Sequence, residues 1–137
     1  MMHCLDTNVV IAVLKKHPPR LIERFRFELV RGVIAVPAIV MFELQYGAAK
    51  SDRRAENEDR LAIFLGAPIT VLPFDAEDAR EAGNIRAALF KLGRPIGPYD
   101  ILIAAQARRR DAILVTSNER EFAWVSGLKM EDWALPA

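Results

Sequence analysis

Short apolar segments recur along the chain with helix-periodic stretches between them, and this alternation constrains the fold more than any other feature. Met1–Leu5, Val33–Val36, Ile69–Leu72 and Ala112–Val115 are each apolar and each bounded by glycine, proline or polar residues. Runs of this length suit strands buried on both faces of a parallel sheet. Between them lie stretches of helical spacing. Val9–Leu14 follows the polar turn Asp6-Thr7-Asn8, and Arg20–Arg31 buries Leu21, Ile22, Phe25, Leu29 and Val30 before Gly32 stops it. Ala38–Ala49 is apolar on most sides, Ser51–Gly66 is strongly charged, and the two predict a helical hairpin. Asp75 caps a helix running to about Leu92, Tyr99 to about Arg110 forms the next, and Gly127–Trp133 offers a short final strand. Strands separated by helices must pair in parallel, which predicts a three-layer α/β/α domain.

The chain has 137 residues, enough for one domain spanning 1–137, with neither an internal repeat nor a linker. Its 52% hydrophobic content supplies a full core. With 19 basic and 18 acidic residues it carries a formal charge of +1, so no overall field draws it to nucleic acid. The single cysteine, Cys4, excludes an intrachain disulfide and a cysteine-based zinc cluster, and reads as a small buried hydrophobe. No apolar run reaches the roughly 18 residues of a membrane span, and the N-terminus lacks the pattern of a signal peptide. The expectation is a cytoplasmic protein with no membrane association.

In open parallel sheets ligands bind beyond the carboxyl ends of the strands. Asp6 follows the first strand, and Thr116 and Asn118 follow the fourth. Asp6 and Asp100 can each be read as helix-capping or first-turn acids. Glu43 is harder to dismiss, because Ile39, Val40, Met41, Phe42, Leu44 and Tyr46 surround it. A carboxylate in such a setting needs a cation, a hydrogen-bond donor or a proton, and pairing with Arg or Lys is the alternative to metal. Carboxylates without a histidine or cysteine set suit Mg²⁺ or Mn²⁺, and His3 and His17 lack ligand spacing. Phosphate-binding glycine loops and nucleophile elbows are absent, which favours metal-assisted hydrolysis.

Several segments together resemble the PIN-domain ribonucleases, and within them the VapC toxins of VapBC toxin–antitoxin pairs. They are Leu5-Asp6-Thr7-Asn8, Phe42-Glu43-Leu44-Gln45-Tyr46-Gly47, Gly97-Pro98-Tyr99-Asp100 with Ile101–Ala105, Val115-Thr116-Ser117-Asn118 with Glu121-Phe122, and Gly127-Leu128 running to Glu131-Asp132-Trp133. The resemblance implies a PIN-like fold with about five mainly parallel strands and an acidic metal site formed by Asp6, Glu43 and Asp100. Thr116 and Asn118 match the end of the family's fourth strand, where an acid is common. Asn118 is therefore the favoured fourth site member and Glu121 the second choice. The resemblance further implies Mg²⁺ or Mn²⁺ dependence, endonucleolytic cleavage of a structured RNA such as tRNA or rRNA, inhibition by a VapB-type antitoxin, and a homodimer.

Thr7, Asn8, Arg86, Arg94 and Thr116 are candidate substrate contacts. Arg86 and Arg94 read equally as a solvated face or ion pairs, and Arg108-Arg109-Arg110 as cations suiting a helix C-terminus. Trp124 and Trp133 read as core or interface aromatics. Two rival functions remain at this stage. One is an inactive PIN-like domain that only binds a partner; the other is a phosphatase using Asp6 as nucleophile, which would want an acid where Asn8 stands.

Overall fold

A computed structural model describes residues 1–136. The strands are β1 (His3–Leu5), β2 (Ile34–Pro37), β3 (Thr70–Leu72), β4 (Ile113–Val115) and β5 (Lys129–Glu131). The helices are α1 (Thr7–Lys15), α2 (Pro19–Val30), α3 (Ala38–Ala49), α4 (Arg54–Leu65), α5 (Ala76–Leu92), α6 (Pro98–Arg109) and α7 (Glu119–Phe122). All four strand pairings are parallel, in the order β3-β2-β1-β4-β5. Every residue of β1 and β2 is buried, so helices cover both faces of the sheet at its centre. Among the described residues no helix is long and apolar enough to cross a membrane.

This strand order places the site. From β1 the chain winds outward through β2 to β3, then returns across the sheet and adds β4 on the other side of β1. Neighbouring crossovers therefore leave in opposite directions at the carboxyl ends of β1 and β4, opening a crevice there. Asp6 N donates to Val115 O at 3.1 Å across that boundary.

The element boundaries follow local chemistry. Gly32, at φ 69°, takes the left-handed turn that ends the α2 region, and Gly93, at φ 65°, caps α5. The α4 helix starts at Arg54, later than the predicted Ser51, because Ser51 Oγ instead accepts from Asn57 Nδ2 and donates to Ala48 O in the hairpin turn. The four-residue helix α7 has no apolar periodicity and was not expected from the sequence. Cys4 is fully buried and unpaired, and burial pushes its thiol up to about 12, as suits a packing residue.

Two buried polar side chains join the layers. Gln106 on α6 donates to Leu72 O and Pro73 O and faces Ile39 N at 3.5 Å, so it links the end of β3 to the start of α3. Asp78 closes a capping box with Asp75 at the start of α5 and accepts from both Arg109 and Arg110 at 2.7 Å. Arg108 pairs with Glu81 at 2.7 Å. The three arginines are thus specific fasteners between α5 and α6, a stronger role than the helix-end cations expected from sequence. Burial opposes ionisation of Asp78, but hydrogen bonds from Arg110, Arg109 and the Asp75 backbone outweigh it and hold the carboxyl well below the usual range.

Replacing Asp78 by Ala leaves Arg109 and Arg110 without their shared partner. The expected loss is about 3 kcal/mol of unfolding free energy in urea titrations at neutral pH. Because the folded carboxyl titrates below its unfolded value of 3.8, this contribution is complete above that pH and disappears only in stronger acid.

Candidate active site

Asp6 leaves β1 as the N-cap of α1, its Oδ1 accepting from Val9 N at 2.9 Å. The capping role and the rim position are therefore both real, since a residue ending a strand and opening a helix points its side chain at the crevice. Asp6 is only 7% exposed. Burial raises its pKa, hydrogen bonds from Thr116 and Val9 N oppose the rise, and the charges of Glu43 and Asp132 add to it.

Glu43 reaches the same place from the middle of α3. Its Oε1 accepts from the Thr7 hydroxyl at 2.7 Å, and no Arg or Lys pairs with it among the described residues. The alternative of a cationic partner for Glu43 thus does not hold. Thr7, a candidate substrate contact, instead orients this carboxylate.

Asp100 stands in the first turn of α6, whose N-cap is Gly97 with no side-chain capping bond. Of the two local readings, Asp100 is a first-turn acid and not a cap. A Cβ on Gly97 would lie 3.5 Å from Asp100 Oδ2, an ordinary van der Waals contact, so the carboxylate folds back against the start of its own helix. Burial, followed by the charges of Glu43, Asp6 and Glu121, pushes Asp100 up to about 6.

Thr116 is fully buried at the end of β4, hydrogen-bonded to Asp6, with its Oγ1 accepting from Asn118 N at 2.9 Å. Asn118 Nδ2 donates to Glu121 Oε2 at 3.0 Å. The two candidates for fourth member are therefore hydrogen-bonded partners, with Glu121 the one whose charge reaches Asp100. Asn8 is exposed at the start of α1. Arg86 and Arg94 are exposed and form no ion pair among the described residues; Arg94 lies 5.1 Å over the Trp124 ring. Trp133 is buried against His3, with ring centroids 5.6 Å apart.

Sequence reasoning missed Asp132. It is the first acid beyond β5, and its charge reaches Asp6. The rule that singled out Asp6, an acid just past a strand end, would have found it had it been applied to the last strand.

The donors here are carboxylate, hydroxyl and amide oxygens, which suit a hard divalent cation. Among the described residues no three His, Cys, Asp or Glu side chains are gathered tightly enough to ligate one ion together. The charge of Glu43 raises the proton affinity of both Asp6 and Asp100, and Asp6 adds to the effect on Asp100, yet no cationic side chain draws the three together. Mg²⁺ typically takes one or two carboxylates and keeps its remaining waters, so the donor set fits such an ion without a closed protein cage. Beside Glu43, an apolar cleft of about 270 Å³ runs between α1, α3 and α4, lined by Ile11, Leu14, Leu44 and Leu61.

Comparison with known proteins agrees with this geometry. The family model for the PIN domain matches residues 3–128. The tRNA(fMet)-specific endonuclease VapC of Shigella flexneri is 44% identical over 132 residues, covering 95% of this chain and 96% of the relative. Ribonuclease VapC2 of Haemophilus influenzae is 41% identical over 133 residues, covering 97% and 98% respectively. Among solved structures, VapBC2 from Rickettsia felis bound to a promoter DNA fragment superposes with a TM-score of 0.91 at 34% identity, covering 97% of this chain and 99% of that one. With the parallel sheet, the acidic crevice at its switch point and these relatives together, the chain belongs to the PIN domain family, among the VapC ribonucleases.

Proposed function

We propose that this protein is the toxin of a toxin–antitoxin pair, an endoribonuclease that hydrolyses a structured RNA with Asp6, Glu43 and Asp100 holding Mg²⁺ or Mn²⁺. One observation carries the metal assignment: three carboxylates meet at the switch point of the sheet with no Arg or Lys paired to any of them among the described residues, and burial and the neighbouring carboxylates push Asp100 up to about 6. A cation relieves both causes at once. The Shigella flexneri relative is named for tRNA(fMet), which makes a transfer RNA the first substrate to test. The reading places the action in the cytoplasm, where transfer RNA is met. The VapBC complex from Rickettsia felis supports a VapB-type antitoxin as the neutralising partner.

When bound, the divalent cation offsets charge on the phosphoryl oxygens and lowers the pKa of a water. The protein groups do the positioning. Val9 N and Thr116 fix Asp6, the Thr7 hydroxyl fixes Glu43, and Asn118 fixes Glu121 beside Asp100. Water attacks phosphorus in line, the bond from phosphorus to O3′ breaks, and O3′ takes up a proton. The products are a 5′-phosphate and a 3′-hydroxyl.

Cleavage of an initiator tRNA transcript should require Mg²⁺ or Mn²⁺ and stop on adding chelator. Asp100→Asn should lower kcat by about 10²-fold or more. A 2′,3′-cyclic phosphate product would overturn the hydrolytic mechanism. An Asp100→Asn variant that inhibits growth as strongly as the parent would favour a partner-binding domain instead.

The electrostatics make a separate prediction. In metal-free protein the Asp100 carboxyl carbon, followed by NMR, should titrate near pH 6 and move toward the ordinary 3.8 in Glu43→Gln. It should not fall the whole way, since burial is the larger cause. A wild-type midpoint near 3.8 would remove the electrostatic support for the metal site.

A further inference from the structure

The acidic crevice leaves RNA binding unexplained. The chain carries a formal charge of only +1, and the site itself is lined with carboxylates that repel phosphate. Beyond what a bound cation offsets, affinity for a polyanion must come from elsewhere on the surface. Base stacking is one such source, because it needs an exposed ring and no net charge.

Exposed rings stand next in sequence to two of the carboxylates. Phe42 and Tyr99 each stand one residue from a site acid, Glu43 and Asp100, and are 52% and 47% exposed. Their rings meet across the α3–α6 boundary, with centroids 5.5 Å apart and planes tilted by 57°. Tyr46, 59% exposed, lies four residues beyond Phe42 on α3, and Lys50 lies four beyond that. Residues at this spacing share a helix face. Lys50 Nζ sits 4.7 Å from the Tyr46 ring centroid and pairs with no acid among the described residues. Tyr99, Phe42, Tyr46 and Lys50 thus form a stripe that starts beside the carboxylates and ends in a cation.

A contiguous group of exposed aromatic side chains marks an interaction surface. Their order matches what a single strand of RNA presents: bases for the rings and a phosphate for the cation. We infer that this stripe is a stacking platform for unpaired nucleotides next to the bond that is cut, with Lys50 taking a backbone phosphate. The inference rests on the carboxylates being the cleavage site. It selects RNA whose bases near the cut are unpaired, such as a loop, over a continuous duplex.

The test uses a single-stranded RNA oligonucleotide carrying 2-aminopurine, bound to the full chain in the presence of chelator so that no cleavage occurs. Stacking quenches the fluorophore. Wild type should quench it, while a Phe42→Leu/Tyr99→Leu variant should lose the quenching and bind about tenfold more weakly. Phe42→Tyr and Tyr99→Phe, which keep the rings, should behave as wild type. Lys50→Ala should lower the slope of log affinity against log salt by about 0.7. Leucine keeps apolar area but has no π face, so it separates stacking from burial against protein.

Equal quenching and affinity in the leucine variant would overturn the inference. So would an unchanged affinity accompanied by dissociation of a wild-type dimer in sedimentation, which would assign the face to a second copy of the chain. Circular dichroism melts exclude misfolding as the cause, and the ring-keeping variants decide the matter if the leucine variant melts early. Wild-type protein that binds and quenches this RNA yet cuts no RNA with Mg²⁺ or Mn²⁺ would refute the nuclease reading, and with it the placement of the platform beside a cut.

Discussion

Repulsion among buried and half-buried carboxylates is the constraint around which the rest of this molecule is arranged. Asp6, Glu43 and Asp100 come from three separate parts of the chain; the charge of Glu43 makes both Asp6 and Asp100 harder to ionise, and that of Asp6 adds to the effect on Asp100. The folded protein therefore holds protons on Asp100 that the unfolded chain releases. Stability falls as pH rises from 3.8 through about 6, where the folded carboxyl loses its proton. The cost is fully present at neutral pH. A binding site for a cation is built by accepting such a cost in the empty protein and recovering it when the ion arrives.

Holding the three acids in place against that repulsion falls to neighbouring polar groups, and each of these spans elements that are distant in sequence. Gln106 joins the end of β3 to the start of α3, which carries Glu43. Asp78 and the arginines of α6 fasten α5 to the helix that carries Asp100. Thr116 connects the end of β4 to Asp6. These groups are buried and satisfied, so displacing any carrier element would strand a polar atom in the core. That penalty acts over the whole layer, while the repulsion it opposes is confined to the crevice.

The fold was legible because a parallel strand reports itself through a short apolar run, and a covering helix through its periodicity. β1, β3 and β4 lie inside the runs that predicted them, β2 overruns its run by Pro37 alone, and β5 lies inside Gly127–Trp133. The acids were partly legible. Glu43 could be recognised from its own surroundings, since an apolar helix face gives a carboxylate no local partner. Asp6 and Asp100 look like ordinary helix-start acids until the chain order is folded into a sheet and the switch point brings them together. What could not be read were pairings between distant residues: Thr7 with Glu43, Arg109 and Arg110 with Asp78, and Asp132 with Asp6. Each partner has an equally plausible local role, and only the fold decides between them.

The same electrostatic constraint bears on the amide at Asn118, at the end of β4 where the resemblance leads one to expect an acid. Asp100 already feels three carboxylates, those of Glu43, Asp6 and Glu121. A further charge at position 118 would stand next to Glu121 and raise the proton affinity of the whole group. Asn118 instead donates to Glu121 at 3.0 Å, fixing that acid's direction without adding charge. On the opposite side of the crevice Asp132 adds a carboxylate near Asp6. Negative charge has thus been distributed along the carboxyl rim of β1, β4 and β5 rather than concentrated at one strand end. A rim of this kind favours a cation that keeps part of its water shell over one that demands a closed set of protein ligands.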